Sequence, residues 1–191
     1  MAFIQLALDL IELNRALKIA EEAAPYVDWL EAGTPLIKSE GLAAVRALKK
    51  RFPKKKIVAD MKIADTGALE VEMAAKAGAD VVTVMAFVDD STIREAVEAG
   101  RRYDAKIMAD FLGVQDVEKR AHELKALGVA YANIHVGIDQ QMKGLNVLKT
   151  LEHLKLDMPF AVAGGIDEKS APAAAASGAA IVIVGGAITK A

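Results

Sequence analysis

The sequence predicts an α/β protein folded as a (β/α)8 TIM barrel, and three observations predict it. Eight short β-rich apolar runs alternate with longer amphipathic stretches, each change marked by Gly, Pro, Asp or Ser. No linker interrupts the alternation, so residues 1–191 are expected to form one domain. One phrase also recurs, a helix end, a Gly stop and a buried strand: Ala-Gly-Ala-Asp-Val-Val-Thr-Val at 77–84, Leu-Gly-Val-Ala-Tyr-Ala-Asn-Ile at 127–134 and Ser-Gly-Ala-Ala-Ile-Val-Ile-Val at 177–184.

Residues 3–8 read as the first strand and 13–24 as a helix stopped near Pro25. A second strand over 27–31 leads to a helix from about 39 to 51, closed by Pro53. Ile57-Val58-Ala59-Asp60-Met61-Lys62 supplies the third strand, and 66–77 a helix ending at Gly78. Strands follow at 80–85, 105–110 and 130–136, separated by helices at 91–103 and 115–127. A poorly periodic loop, a helix to about 154, a strand at 159–163, a helix at 168–176 and a strand at 180–184 complete the series. Barrels of this kind take at least about 200 residues, whereas the sequence given stops at Ala191. The last outer helix is therefore expected to be missing, either by truncation or because association covers the flank of strands eight and one.

Composition narrows the chemistry. A formal net charge of −2 gives no electrostatic footprint for nucleic acid or an acidic membrane. Without cysteine there are no disulfides, thiolate metal sites or Cys nucleophiles. The N-terminus lacks the regions of a signal peptide and no apolar run is of membrane length, so a cytoplasmic protein is the expectation.

In a barrel the chemistry sits at the C-terminal ends of the strands. Those ends carry Asp9, Glu31, Asp60 with Lys62, Asp110 and His135, then the pairs Gly164-Gly165 and Gly185-Gly186. Side chains two apart share a strand face, so Asp60 and Lys62 are expected to project together, with Asp65 in the loop beyond. So many ionisable groups on one rim point to an active site rather than to surface ion pairs. Glycine pairs after strands seven and eight leave backbone N–H groups bare for a phosphate, with 187–190 as the short extra helix. Glu31 and Asp60 are hard oxygen donors without thiolate or histidine company, a set that suits Mg²⁺. His135 is the candidate acid or base, while His122 and His153 fall on surface helices and Trp29 reads as packing.

Asp60-x-Lys62-x-x-Asp65, with Gln5-Leu-Ala-Leu-Asp9 and Glu31-Ala-Gly-Thr-Pro-Leu36, resembles the orotidine 5'-monophosphate decarboxylase superfamily over nearly the whole chain. The resemblance implies phosphate-binding barrels that pair into homodimers, with Asp65 reaching the partner's site. Glu31, where the nucleotide decarboxylases carry Lys, implies the Mg²⁺-dependent branch. Asp110 and His135-Val-Gly-Ile-Asp139, with no Arg after the histidine, are similar to the hexulose-phosphate synthases of that branch rather than to its 3-keto-L-gulonate 6-phosphate decarboxylases.

The synthase resemblance implies addition of formaldehyde to the sugar phosphate D-ribulose 5-phosphate through an enediolate. It makes Glu31 and Asp60 the metal ligands, and His135, Lys62, Asp65 and Asp110 the catalytic groups, with Asp110 orienting water or substrate. Asp9 would bind substrate hydroxyls, and Gly164, Gly165, Gly185 and Gly186 the phosphate. The alternatives are the decarboxylase and an inactive barrel used as a scaffold.

Overall fold

The computed structural model describes residues 2–191. Eight parallel strands close into a barrel in the order β1 (Phe3–Leu8), β2 (Trp29–Ala32), β3 (Lys56–Ile63), β4 (Val81–Met85), β5 (Lys106–Asp110), β6 (Tyr131–His135), β7 (Phe160–Ala163) and β8 (Ile181–Val184). Closure comes from β8 lying beside β1, with Ile183 opposite Gln5. The outer ring contains α1 (Leu13–Ala23), α2 (Thr34–Glu40), α3 (Ala43–Arg51), α4 (Gly67–Lys76), α5 (Asp90–Arg102) and α6 (Val117–Leu127). It continues with α7 (Ile138–Met142), α8 (Val147–Leu151), α9 (Ala171–Ala176) and α10 (Gly186–Thr189).

Two departures from the sequence reading have local causes. The single helix expected at 39–51 is two helices, because Pro35 starts α2 early and Gly41 turns with φ +62° before α3. The aperiodic loop after β6 holds a five-residue helix, α7, before the helix expected to about 154, which is the equally short α8. Too few residues are present there for a helical period to emerge.

After β8 the described residues form no full outer helix, as expected, and α10 is the short extra helix instead. Its four residues begin at Gly186, within one residue of the short helix expected at 187–190. On the outer side of β1 and β8, Ala2, Ile4, Ala175, Ala176 and Ala179 line an open groove.

Strand pairing sorts the inward side chains into layers, because each step around a tilted barrel shifts the register. The lowest layer is apolar: Trp29, Val81, Tyr131 and Ile181. Trp29 stacks on Phe3 and meets the edge of Tyr131, both with centroids 5.8 Å apart, so it is packing as expected. Gln5, Val58, Met108 and Ala161 come next, then Glu31, Thr83, Asn133 and Ile183, then Ala7, Asp60, Asp110 and Ala163. The interior thus changes from apolar to charged along the strand direction. A second apolar core lies between the outward strand faces and the helices.

Gly67, at the start of α4, lets that helix lie against α5: a Cβ there would stand 2.3 Å from the Thr92 carbonyl oxygen. Backbone cannot yield cheaply, so Gly67→Ala should destabilise the chain by about 1–3 kcal/mol. Urea unfolding would register this as a lower midpoint with an unchanged slope.

Candidate active site

Lys62 is the junction of the site. Its Nζ donates to Asp60 Oδ2 at 2.8 Å and to Asp110 Oδ2 at 2.9 Å, joining the ends of β3 and β5. Asp60 and Lys62 meet as the spacing predicts, although the strand is not regular there. Pairing with β4 shifts between Ala59 and Ile63, and Lys62 has φ +47°. A left-handed lysine costs on the order of 1–3 kcal/mol. Thr83 compensates by accepting the Lys62 backbone N–H on Oγ1 at 2.9 Å.

Asp60 is held from both sides. Thr83 Oγ1 donates to its Oδ1 at 2.8 Å. The Thr34 hydroxyl lies 2.6 Å from Oδ2 and 2.8 Å from the Asp60 carbonyl, and gives its one proton to either. Neither threonine is apparent as a site residue in the sequence. Thr83 sits inside an apolar strand, where its only signal is a polar residue at an inward position of Val-Val-Thr-Val-Met.

Asp110 is fully buried. Burial pushes its carboxyl up, but the bond from His135 and the charges of His135 and Lys62 outweigh it and hold the value at about 2. Its oxygens face His135 Nδ1 at 2.9 and 3.2 Å and accept the Leu112 N–H at 2.9 Å. An ionised carboxylate only accepts, so the proton of a neutral His135 must lie on Nδ1, leaving Nε2 basic. Burial likewise pulls Lys62 down, and Asp60 and Asp110 more than reverse it, so the ammonium stays charged.

Glu31 lies one layer below Asp60 and is raised well above the usual carboxylate range by burial, then by the charges of Asp60 and Asp9. Gln5 Nε2 donates to its Oε2 at 2.6 Å. At the rim, Asp9 is raised by the protein packed around it and by Asp60. Gly33 makes room for it, since a Cβ at that position would stand 2.2 Å from Asp9 Oδ1.

The glycine pairs differ from each other. Gly164 and Gly165 have φ +118° and +68°, and a Cβ on Gly164 would strike the Val136 carbonyl at 2.3 Å, so the fold alone requires glycine there. At Gly185 the nearest atom to an added Cβ is Asp9 Oδ2 at 3.5 Å, and at Gly186 it is the Lys190 side chain at 3.8 Å. Ordinary contacts of that kind leave the second pair open to an approaching ligand.

Asp65 stands apart from this group. It is exposed, and its carboxylate accepts only the neighbouring Thr66 N–H, at 2.7 Å. His122 lies on the surface 3.3 Å from Asp157, and His153 is exposed. Two inward residues carry unpartnered buried oxygens, Gln5 Oε1 and Asn133 Oδ1. Among the described residues no three His, Cys, Asp or Glu side chains gather into a ready metal cage. No helix among them is long and apolar enough to cross a membrane.

With this geometry in view, residues 2–191 match the orotidine 5'-phosphate decarboxylase / HUMPS family. The chain belongs to that family. It is 44% identical over 188 residues to the 3-hexulose-6-phosphate synthase of Mycobacterium gastri, covering 97% of this chain and 90% of that protein. The 3-hexulose-6-phosphate synthase of Bacillus subtilis strain 168 is 42% identical over 191 residues, at 98% and 91% coverage. A crystal structure of a 3-hexulose-6-phosphate synthase superposes with a TM-score of 0.95 at 44% identity, covering 99% of this chain and 92% of that one. Family members with these names are enzymes, and the rim residues described above are the part of this barrel equipped for chemistry.

Charged Glu31 is costly in the folded chain, since its value is raised relative to the unfolded state. The stability it allows below about pH 4.5 is therefore lost as pH rises towards its folded value. In EDTA, Glu31→Gln should melt higher than the unaltered chain at pH 8, with the gap closing near pH 5. Asp110 has the opposite sign. Its lowered value gives stability above about pH 4 that disappears as pH falls towards 2, on the order of 2 kcal/mol. Asp110→Asn should flatten that acid limb in denaturant titrations between pH 4 and pH 2.

Proposed function

We propose that this chain catalyses the aldol addition of formaldehyde to D-ribulose 5-phosphate, giving D-arabino-hex-3-ulose 6-phosphate. The observation that carries the reading is the Asp110–His135 pair, which leaves a basic Nε2 at the rim beside a permanently charged lysine. It does so in a barrel whose relatives bear the synthase name.

The steps follow from these residues. His135 Nε2 takes a proton from the carbon beside the ketone, while the Nδ1 proton remains bonded to Asp110. Lys62 brings positive charge to the oxygens on which the enediolate charge develops. The carbon then attacks formaldehyde, and the proton on Nε2 passes to the new hydroxyl oxygen, so His135 ends as it began. Buried Asp110 fits the role of holding His135 and Lys62, beside the role of orienting water or substrate that the resemblance implies.

Mg²⁺ fits the donor set at Glu31 and Asp60, because burial first, and then the charge of Asp60, raises both Glu31 and Asp9, and Lys62 is the one ammonium among these three carboxylates. Bound there, it would supply positive charge to the substrate's paired oxygens. Lys62 bonds both Asp60 and Asp110, so it keeps a carboxylate partner if Asp60 turns towards a cation. The phosphate is assigned to the backbone of Gly164, Gly165, Gly185 and Gly186, and the sugar hydroxyls to Asp9.

Pairing into a homodimer is part of the same reading. Leu69 and Met73 lie one turn apart on α4, 58% and 46% exposed, directly after exposed Asp65. An apolar face in that place would carry Asp65 towards a second copy's site.

Formaldehyde consumption with ribulose 5-phosphate should require Mg²⁺, stop in EDTA and fail in Asp60→Asn. His135→Ala should lower kcat by about 10²–10⁴. Release of CO2 from 3-keto-L-gulonate 6-phosphate without formaldehyde consumption would instead make the chain a decarboxylase. A folded sample with neither activity would favour a scaffold.

A further inference from the structure

Gln5 is the one polar side chain of its interior layer, alongside Val58, Met108 and Ala161. It is fully buried, and its Oε1 has no hydrogen-bond partner. Burying an amide is unfavourable, and an oxygen left unsatisfied keeps the full desolvation penalty. An aliphatic side chain of similar length would fill the same space without that cost. The amide's single side-chain bond is the 2.6 Å donation from Nε2 to Glu31 Oε2.

We infer that Gln5 is a positioning residue. It reaches one layer up the barrel axis to fix the Glu31 carboxylate, leaving Glu31 Oε1 for a divalent cation. The inference rests on the metal reading proposed above and deepens it, by assigning to β1 a residue that touches neither metal nor substrate. Its partner is a buried carboxylate whose neighbours at the site include two more carboxylates, Asp60 and Asp9, so Gln5 is the donor that holds it in place. A donated hydrogen bond favours the ionised form and restricts its rotation. Chemistry of this kind is costly to stability and useful only to the site.

The test separates positioning from structural support. Mn²⁺ would be titrated into the unaltered chain, Gln5→Met and Glu31→Gln at fixed D-ribulose 5-phosphate, with the free-ion EPR signal as the readout and thermal melts in EDTA alongside. Gln5→Met should weaken Mn²⁺ binding about 10- to 100-fold while melting at the same temperature or higher. Equal Mn²⁺ affinity in Gln5→Met would overturn the inference, and so would a loss of affinity accompanied by a fall in melting temperature. No saturable Mn²⁺ binding by the unaltered chain would overturn the metal reading itself and this inference with it.

Discussion

Lys62 places one ammonium between two carboxylates, Asp60 at 2.8 Å and Asp110 at 2.9 Å, and the rest of the rim is arranged around that need. A buried charge is tolerated only when paired and hydrogen-bonded. Asp110, fully buried, gains Lys62, His135 and the Leu112 N–H. Asp60 gains Lys62 and two threonine hydroxyls. To bring the lysine back over Asp60, β3 leaves its regular path and accepts a left-handed residue, which the Thr83 hydroxyl secures. Geometry that would be strain elsewhere is here the means of seating a cation between strands.

The barrel makes such a cluster possible by layering. Below it, Trp29, Val81, Tyr131 and Ile181 close the interior with apolar volume. The lower half can therefore supply burial while the upper half carries unfavourable polar groups. Polarity enters at Gln5, grows with Glu31, Thr83 and Asn133, and is complete at Asp60 and Asp110. The strands β2 to β5 each contribute an apolar foot and a polar tip two residues apart, Trp29 and Glu31, Val58 and Asp60, Val81 and Thr83, Met108 and Asp110, which is why one short run can serve both stability and chemistry.

Most of this was legible in the sequence wherever one residue carried both signals. An apolar run ending in an ionisable residue marks a strand and its tip together, so Asp9, Glu31, Asp60, Asp110 and His135 were found from position alone. Thr34, Thr83 and Gln5 show no role by position, although Gln5 and Thr34 stand in segments that carry the resemblance, because an uncharged polar residue before a proline or within an apolar strand has ordinary structural uses. Their roles depend on which strand is the neighbour, a fact of register rather than of order. The left-handed Lys62 was equally hidden, since alternation by two gives the same expectation with or without the bulge. Asp110 shows its strand-end position in the sequence, but not the depth of burial that its bonds to Lys62 and His135 accompany.

The carboxylates of the rim divide by environment, and the division separates their tasks. Asp110 accepts from Lys62 and from His135 Nδ1 and stays ionised far into acid, so it can act as a fixed negative post that sets the tautomer of a neutral His135. Glu31 and Asp9 are raised first by burial and then by neighbouring carboxylates, Glu31 strongly so, and positive charge brought to them opposes both effects. Groups of the same chemical type pushed apart in this way mark distinct assignments. The pair side of the barrel, β5 and β6, is complete in itself and suited to moving a proton. The β1 to β3 side has an excess of negative charge, and its architecture makes sense when a cation and an electron-rich sugar phosphate occupy it together.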